Sequence, residues 1–205
     1  MISITSEQLN HIAPNARSSY RQAFASADQV LAHYHINDNG LRVSHFMAQV
    51  LHETGGLKIL IEDMNYRAER IVKVWPKRFS SVEAARPYAH NPEKLANKVY
   101  GGRMGNNREG DGWRFIGRGL LQITGRESYE KYGRALGIDL ANTQSLAVDP
   151  AWALKIAAEE WVASNCNALA DRDSLRRVTI AINSATTGIA SRGEWLAKAK
   201  HLWLR

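Results

Sequence analysis

Apolar residues recur at helical spacing along most of the chain. Between residues 43 and 51 they stand at positions i, i+3, i+4, i+7 and i+8, namely Val43, Phe46, Met47, Val50 and Leu51. This spacing places them on one face of an amphipathic helix. Gly55 and Gly56 follow, as glycines do where helices end. Strand-like alternation is scarce, so the pattern predicts a mainly α fold.

Helix-end signals predict where several other helices begin. Residues 5–8 have the sequence of a capping box, and the pair Asp149-Pro150 is typical of a helix start. We expect Asp173 to cap a further helix and Thr124 to be the N-cap of a helix that extends to Leu136. We also expect helices over residues 20–34 and 194–204.

One segment departs from the helical pattern. Seven of the 15 glycines lie between Gly101 and Gly119, interspersed with arginines. A long irregular segment inside a compact helical domain is either a functional loop or a solvated connector. Residues 77–112, which include part of this segment, are predicted to form a small lobe inserted in the main helical body.

Composition limits the class of protein. The chain has 205 residues, 44% of them hydrophobic, which is sufficient for one core, and its N-terminus has no signal-peptide pattern. A single cysteine, Cys166, predicts folding in a reducing cytosol without disulfides. The net charge of +7 favours anionic partners, such as nucleic acid, anionic lipid or the anionic polymers of a bacterial cell wall.

The His52-Glu53 pair is the first candidate for chemistry. A zinc-peptidase reading of this pair fails because Gly56 stands where a second histidine ligand is needed. Glu53 instead continues the apolar stripe into the last turn of its helix. Partial burial and the helix C-terminus both disfavour the ionised form, as a general acid requires. The alternative is a boundary glutamate whose carboxylate simply reaches solvent.

Glycoside hydrolysis needs a second carboxylate. In an inverting enzyme the two carboxyl groups lie roughly 6.5–9.5 Å apart, which leaves room for a water molecule. Glu62, Asp63 and Glu69 are the candidates just downstream, and spacing alone permits Glu62 without singling it out. Glu62 precedes Asn65 and Tyr66, a polar and aromatic set suited to a sugar-binding wall.

Two motifs, FMAQVLHETGG at 46–56 and GRGLLQIT at 117–124, resemble glycoside hydrolase family 19, together with the later Asn183 and Arg192. Within that family the chain is most similar to the lysozyme-type endolysins of bacteriophages. The resemblance implies that Glu53 is the general acid and Glu62 the general base, with Thr124 helping to hold the attacking water. It also implies a substrate cleft lined by His52, Gln122, Asn183 and Arg192, to which we add Arg118, Asn65 and Tyr66.

The resemblance further implies a lysozyme-like or family 19 chitinase-like helical domain with two lobes flanking a substrate cleft. Residues 1–205 would form one catalytic domain without a separate wall-binding domain. The enzyme would hydrolyse the β-1,4 bond between N-acetylmuramic acid and N-acetylglucosamine in bacterial peptidoglycan, as a monomer without metal or cofactor. It would accumulate in the host cytoplasm without stable membrane insertion and reach the wall through a separate membrane-permeabilising protein.

Three alternatives remain open from the sequence. A family 19 chitinase would act on β-1,4-linked N-acetylglucosamine polymers, and no single residue separates it from a muramidase. A lytic transglycosylase would need only one acid/base residue. A basic nucleic-acid-binding protein would use the arginines near Trp113 for phosphate contacts, although no recognised DNA-binding motif is present.

Overall fold

The computed structural model describes residues 1–204, and the regular secondary structure of this part is entirely helical. Extended pairing within it is limited to two isolated β-bridges, from Ile61 to Arg118 and from Arg118 to Ile123. The predicted mainly α class is therefore confirmed. No helix among these residues has the length and apolar character needed to cross a bilayer.

The described residues divide into two compact units. The first contains residues 1–60, 119–122 and 145–204, and the second contains residues 61–118 and 123–144. The predicted small lobe at 77–112 lies wholly within the second unit, which extends beyond it on both sides.

The first unit surrounds a long buried helix. Phe46 of that helix packs edge-to-face on Trp161, with the ring centroids 5.4 Å apart, and both side chains are fully buried. Burial of such aromatic side chains dominates the stability of a core. The helices of this unit are α1 (Ser6–Ile12), α2 (Ser18–Ala23), α3 (Ala27–His33), α4 (Gly40–Glu53), α10 (Ala153–Ala163), α11 (Cys166–Ala170), α12 (Leu175–Asn183) and α13 (Ile189–Trp203).

The long helix α4 begins and ends at sequence-encoded signals. The Asn39 side chain accepts a hydrogen bond from the Arg42 backbone N–H at 2.9 Å and so caps the first turn. At the other end, the backbone adopts positive φ at Gly55 (56°) and Gly56 (80°), which ends the helix directly after Glu53 and Thr54. The buried Thr54 hydroxyl secures this turn by accepting from the Leu57 N–H at 2.8 Å.

The second unit has its own small core and an ordered glycine-rich segment. Asp111, buried within that segment, forms an ion pair with Arg126, and the Arg126 guanidinium lies 4.6 Å from the centre of the Phe115 ring. The segment is thus held by a buried charge pair, which local sequence patterns do not reveal. The helices of this unit are α5 (Ala68–Val74), α6 (Val82–Ala85), α7 (Pro92–Tyr100), α8 (Asp111–Arg114) and α9 (Arg126–Leu136).

Several predicted helix boundaries are wrong. The expected helix over residues 20–34 is interrupted by a 3₁₀ turn at Phe24–Ser26, because Ser26 (φ −104°, ψ 20°) leaves the α-helical region. The helix expected from Asp149 begins only at Ala153, and the last helix begins at Ile189 instead of residue 194.

Two predicted caps are also wrong. Gly125, with φ of 86°, is the N-cap residue of α9 in place of Thr124, and no side chain caps that helix. Ser174 is the N-cap residue of α12, because the Asp173 carboxylate is instead bonded to His45 and Lys200.

Candidate active site

Glu53 ends α4 in the first unit, where it forms an ion pair with Arg192 of α13. Arg192 Nη2 donates to Glu53 Oε1, and the two side chains are 1% and 19% exposed, respectively. A charge-assisted hydrogen bond that is largely shielded from solvent is strong and directional. The guanidinium stabilises negative charge on the Glu53 carboxylate, an effect opposite to the burial and helix-end effects that the sequence argument counted.

Gln49 holds the other side of Arg192. It lies one turn before Glu53 on α4, is fully buried, and accepts from Arg192 Nη1 through Oε1. The Arg192 Nε donates to the Thr187 backbone carbonyl at 3.3 Å. Three acceptors therefore fix the orientation of the guanidinium toward Glu53. No partner for Gln49 Nε2 is found within the described part of the chain.

His52 lies beside this pair, half-buried against the start of α13. Its Nδ1 is 3.1 Å from the Ser191 hydroxyl, and burial, followed by the positive charge of Arg192, lowers its pKa. Both effects favour the neutral imidazole. A Cβ atom on Gly188 (φ 72°) would lie 2.4 Å from the imidazole, so only glycine allows this close packing.

The other predicted residues of the first unit are Gln122 and Asn183. Gln122 is half-buried at positive φ (58°), and its Nε2 donates to the Gly119 carbonyl at 2.8 Å. Asn183 is exposed at the C-terminal end of α12. The assignment of both residues to a substrate cleft remains a prediction.

Glu62 is positioned in the second unit by donors on two segments. The Tyr100 hydroxyl donates to Glu62 Oε1 at 2.6 Å, and the Gly117 N–H donates to Oε2 at 3.2 Å. The Glu62 N–H in turn donates to the Gly117 carbonyl at 2.8 Å. Burial, and then the charge of Glu62, raise the pKa of Tyr100, which keeps the phenol protonated as a donor. The carboxylate therefore has a fixed orientation, as a general base requires.

Tyr66 and Asn65 lie near Glu62 in the chain, but their side chains have different surroundings. Tyr66 is half-buried, and its pKa is raised by burial and then by the Glu62 and Asp63 charges, which places it within electrostatic reach of Glu62. Asn65 is exposed, and its Oδ1 is 3.0 Å from His90 Nδ1. The structure thus associates Tyr66 with the candidate base and turns the Asn65 amide toward His90.

Arg118 and Thr124 complete the predicted set in the second unit. Arg118 Nη1 donates to the carbonyls of Arg114 (2.8 Å) and Ile116 (3.2 Å) and to the Tyr129 hydroxyl (3.0 Å). These bonds fix the backbone next to Gly117. Arg118 therefore has a structural role in addition to its predicted contact with the substrate. Thr124 is half-buried and directly precedes Gly125, the N-cap residue of α9.

Sequence reasoning missed Gln49 and Tyr100. The spacing of four residues between Gln49 and Glu53 places both on one helix face, so this signal was available in the sequence. Tyr100 is 38 positions from Glu62, and only the fold brings its hydroxyl to the carboxylate. No group of three or more His, Cys, Asp or Glu side chains suited to holding a metal ion occurs in residues 1–204.

Comparison with known proteins identifies the family. No protein-family model matches the chain. A glycosyl hydrolase family 19 domain-containing protein of Haemophilus influenzae is 35% identical over 156 residues, which are 75% of this chain and 76% of that protein. This likeness extends over most of both proteins.

Solved structures agree on the fold. A bacterial family 19 chitinase aligns with a TM-score of 0.67 and 21% identity, covering 97% of this chain and 94% of that one. Chitinase C from Streptomyces griseus aligns at 0.65 and 19% identity, covering 97% and 91%. A class IV chitinase from Zea mays aligns at 0.62 and 18% identity, covering 97% and 92%. The chain has the family 19 fold, and by its likeness to the Haemophilus protein it belongs to glycoside hydrolase family 19.

Proposed function

We propose that this family 19 glycosidase is a lysozyme that cleaves the β-1,4 bond between N-acetylmuramic acid and N-acetylglucosamine in bacterial peptidoglycan. Glu53 donates a proton to the leaving glycosidic oxygen. Glu62 takes a proton from a water molecule that attacks the anomeric carbon from the opposite face, so that the configuration inverts. Thr124 is assigned to hold that water.

The surroundings of the two carboxylates support these roles. When Glu53 has given up its proton, the buried Arg192 guanidinium stabilises the carboxylate that remains, which favours proton transfer to the leaving group. Tyr100 and the Gly117 N–H hold the Glu62 carboxylate in one orientation while it receives the proton of the water. Burial and the charge of Arg192 lower the pKa of His52, which disfavours a second cation beside Glu53.

Charge is the observation that carries the choice of peptidoglycan over chitin. The chain has a net charge of +7, whereas the peptide stems and associated polymers of a bacterial wall are anionic and chitin is neutral. A positive surface raises the local concentration of an enzyme on an anionic polymer.

The cellular role that we propose is that of a phage-type endolysin. The enzyme acts as a monomer without a cofactor, is stored in the host cytoplasm, and reaches the wall after a separate protein has permeabilised the membrane. The similarity of residues 46–56 and 117–124 to lysozyme-type endolysins supports this role.

Chitin hydrolysis is the second candidate function. It is favoured by the solved structures to which the chain aligns, since the three compared above are described as chitinases. Both substrates are β-1,4-linked N-acetylated sugars, so the same acid and base would serve.

Mass spectrometry of the products from purified peptidoglycan tests the proposal, with wild type compared with Glu53→Gln and Glu62→Gln. Reducing muramic-acid ends that disappear in both variants would support it. Anhydro-muramic ends would indicate a transglycosylase, and reducing glucosamine ends a glucosaminidase. Cleavage of chitin oligosaccharides without cleavage of peptidoglycan would establish the chitinase instead.

A further inference from the structure

A basic pocket lies in the second unit at the C-terminal end of α5. It has a volume of about 470 Å³, and we refer to it as the Trp75 pocket. Half of its lining residues are apolar and half are cationic. The lining residues are Val74, Trp75, Pro76, Lys77, Arg78 and Arg103.

The backbone of the Trp75 pocket is well fixed on both sides. Trp75 ends α5 with its N–H bonded to the Ile71 carbonyl at 2.9 Å, and the Arg78 N–H closes the next turn onto the Trp75 carbonyl at 2.9 Å. Arg103 lies in a tight loop, in which the Arg103 carbonyl accepts a hydrogen bond from the N–H of the buried Asn106 at 2.9 Å. The cations therefore project from ordered turns.

The charges of the Trp75 pocket are not neutralised by the protein. Lys77, Arg78 and Arg103 are exposed, and the pocket has no acidic lining residue. Within residues 1–204 none of the three forms an ion pair, whereas other cations, such as Arg126 and Arg192, are paired. Three cations without ion pairs, next to apolar side chains, attract an anionic ligand that also has apolar or ring surface.

The Trp75 pocket is linked to the candidate base through two tyrosines, Tyr66 and Tyr100. The Trp75 and Tyr66 rings meet edge-to-face with centroids 5.4 Å apart, and the charge of Glu62 acts on Tyr66. The Arg103 charge acts on Tyr100, the residue that donates to Glu62. A substituent of a glycan bound at Glu62 that passed Tyr66 would therefore meet Trp75.

We propose that the Trp75 pocket is a specificity site that binds the carboxylates of the peptide stems carried by muramic acid. This inference rests on the proposed function and deepens it. The lactyl ether and its peptide are what distinguish muramic acid from N-acetylglucosamine, and they bring anionic carboxylates next to the cleaved bond. Chitin has no such group, so the Trp75 pocket would contribute to peptidoglycan binding alone.

The experiment compares wild type, the double variant Arg78→Ala/Arg103→Ala and the control Arg176→Ala/Arg177→Ala. The control removes two exposed arginines of α12, so both variants lose the same net charge. Each enzyme is assayed on native peptidoglycan and on peptidoglycan whose carboxylates have been converted to amides with carbodiimide and ammonia. Exposed ionic contacts of this kind predict that KM rises about 2- to 30-fold for the double variant on native material.

The proposal requires that this rise be absent on the amidated substrate and absent in the control. An equal loss on both substrates, or an equal loss in the control, would overturn it, as would no loss at all. Sedimentation of the three proteins with native and amidated peptidoglycan provides a second readout that needs no cleavage. If wild type cleaves no peptidoglycan, the proposed function fails, and sedimentation still decides whether the Trp75 pocket recognises carboxylates.

Discussion

Replacing Gln49 with methionine separates the positioning of Arg192 from the stability of the fold. Gln49 is fully buried on α4, where its Oε1 accepts from Arg192 Nη1 and its Nε2 has no partner in the described part of the chain. Methionine has a similar length and no polar atoms to satisfy. The variant therefore removes one of the three acceptors that orient the guanidinium toward Glu53.

The structure predicts that two stability effects nearly offset each other. The lost hydrogen bond to a charged group costs about 1.5–3 kcal/mol, while removal of a buried unpaired amide recovers about 1–3 kcal/mol. The net change is then at most about 2 kcal/mol, or roughly 4–8 °C in Tm for a chain of this size. Looser orientation of Arg192 should lower kcat by about tenfold, which corresponds to about 1.4 kcal/mol of transition-state stabilisation.

Steady-state hydrolysis and thermal unfolding of the same preparations test this prediction. Ser44→Ala is the matched control, because Ser44 is also buried on α4 and its hydroxyl also lacks a partner in the described residues. We expect kcat to fall for Gln49→Met with KM unchanged, and neither to change for the control. A kcat within twofold of wild type would refute the reasoning, as would a Tm loss above about 10 °C, which would make Gln49 a structural residue.

Three further predictions address other parts of the site and the core. Tyr100→Phe removes the hydroxyl that donates to the candidate base at 2.6 Å, so kcat should fall roughly 10- to 100-fold, and unchanged hydrolysis would exclude this role. Gly137→Ala should lower the free energy of unfolding only by the left-handed backbone penalty of about 1–2 kcal/mol. Gly188→Ala should lower it more, because its Cβ atom meets the His52 ring. Equal losses in urea denaturation would contradict the clash. Burial lowers the pKa of His45 below 6.5, so the unfolded state takes up this proton first and stability should fall as the pH drops below 6.5. His45→Gln should flatten that slope between about pH 7.5 and 5.5, and an unchanged slope would assign it to other groups.

The fold was predictable where the information is local. The apolar spacing of α4 and the glycines after it define a helix with its end directly after Glu53, and the structure agrees. The Thr5 capping box is likewise formed as predicted. These features depend on residues within a few positions of one another, so sequence patterns contain them.

The wrong caps share a physical cause. Asp173 has the chemistry of an N-cap, but in the fold its carboxylate meets His45, 128 positions away, and the Lys200 ammonium. Bonds to these two distant partners take the place of a cap to a backbone N–H. At α9, Gly125 occupies the cap position. A Cβ atom on Gly125 would lie 2.4 Å from the Met104 Cβ atom, so the backbone here packs closely on Met104. Long-range contacts decide both positions, and local patterns do not contain them.

The environment of the candidate acid illustrates the same limit. The sequence argument for Glu53 counted burial and the helix terminus, which are local, and both disfavour negative charge. Arg192, 139 positions away, adds the opposite effect from a fully buried position. The resemblance placed Arg192 in the substrate cleft, whereas the structure shows its guanidinium bonded to the carboxylate of Glu53.

A motif that identifies the reaction need not identify the substrate. Residues 46–56 and 117–124 contain Glu53, Gln49 and the Gly117 donor to Glu62. In the mechanism that we propose, these groups would serve the cleavage of any β-1,4 bond between N-acetylated sugars. The substituent that distinguishes muramic acid lies beyond the cleaved bond. A residue that recognises this substituent therefore need not belong to either motif. The three cations of the Trp75 pocket stand at positions 77, 78 and 103, outside both. Likeness to the Haemophilus protein over most of the chain shows the family. We propose that the choice between peptidoglycan and chitin depends instead on charges outside the two motifs, those of the Trp75 pocket.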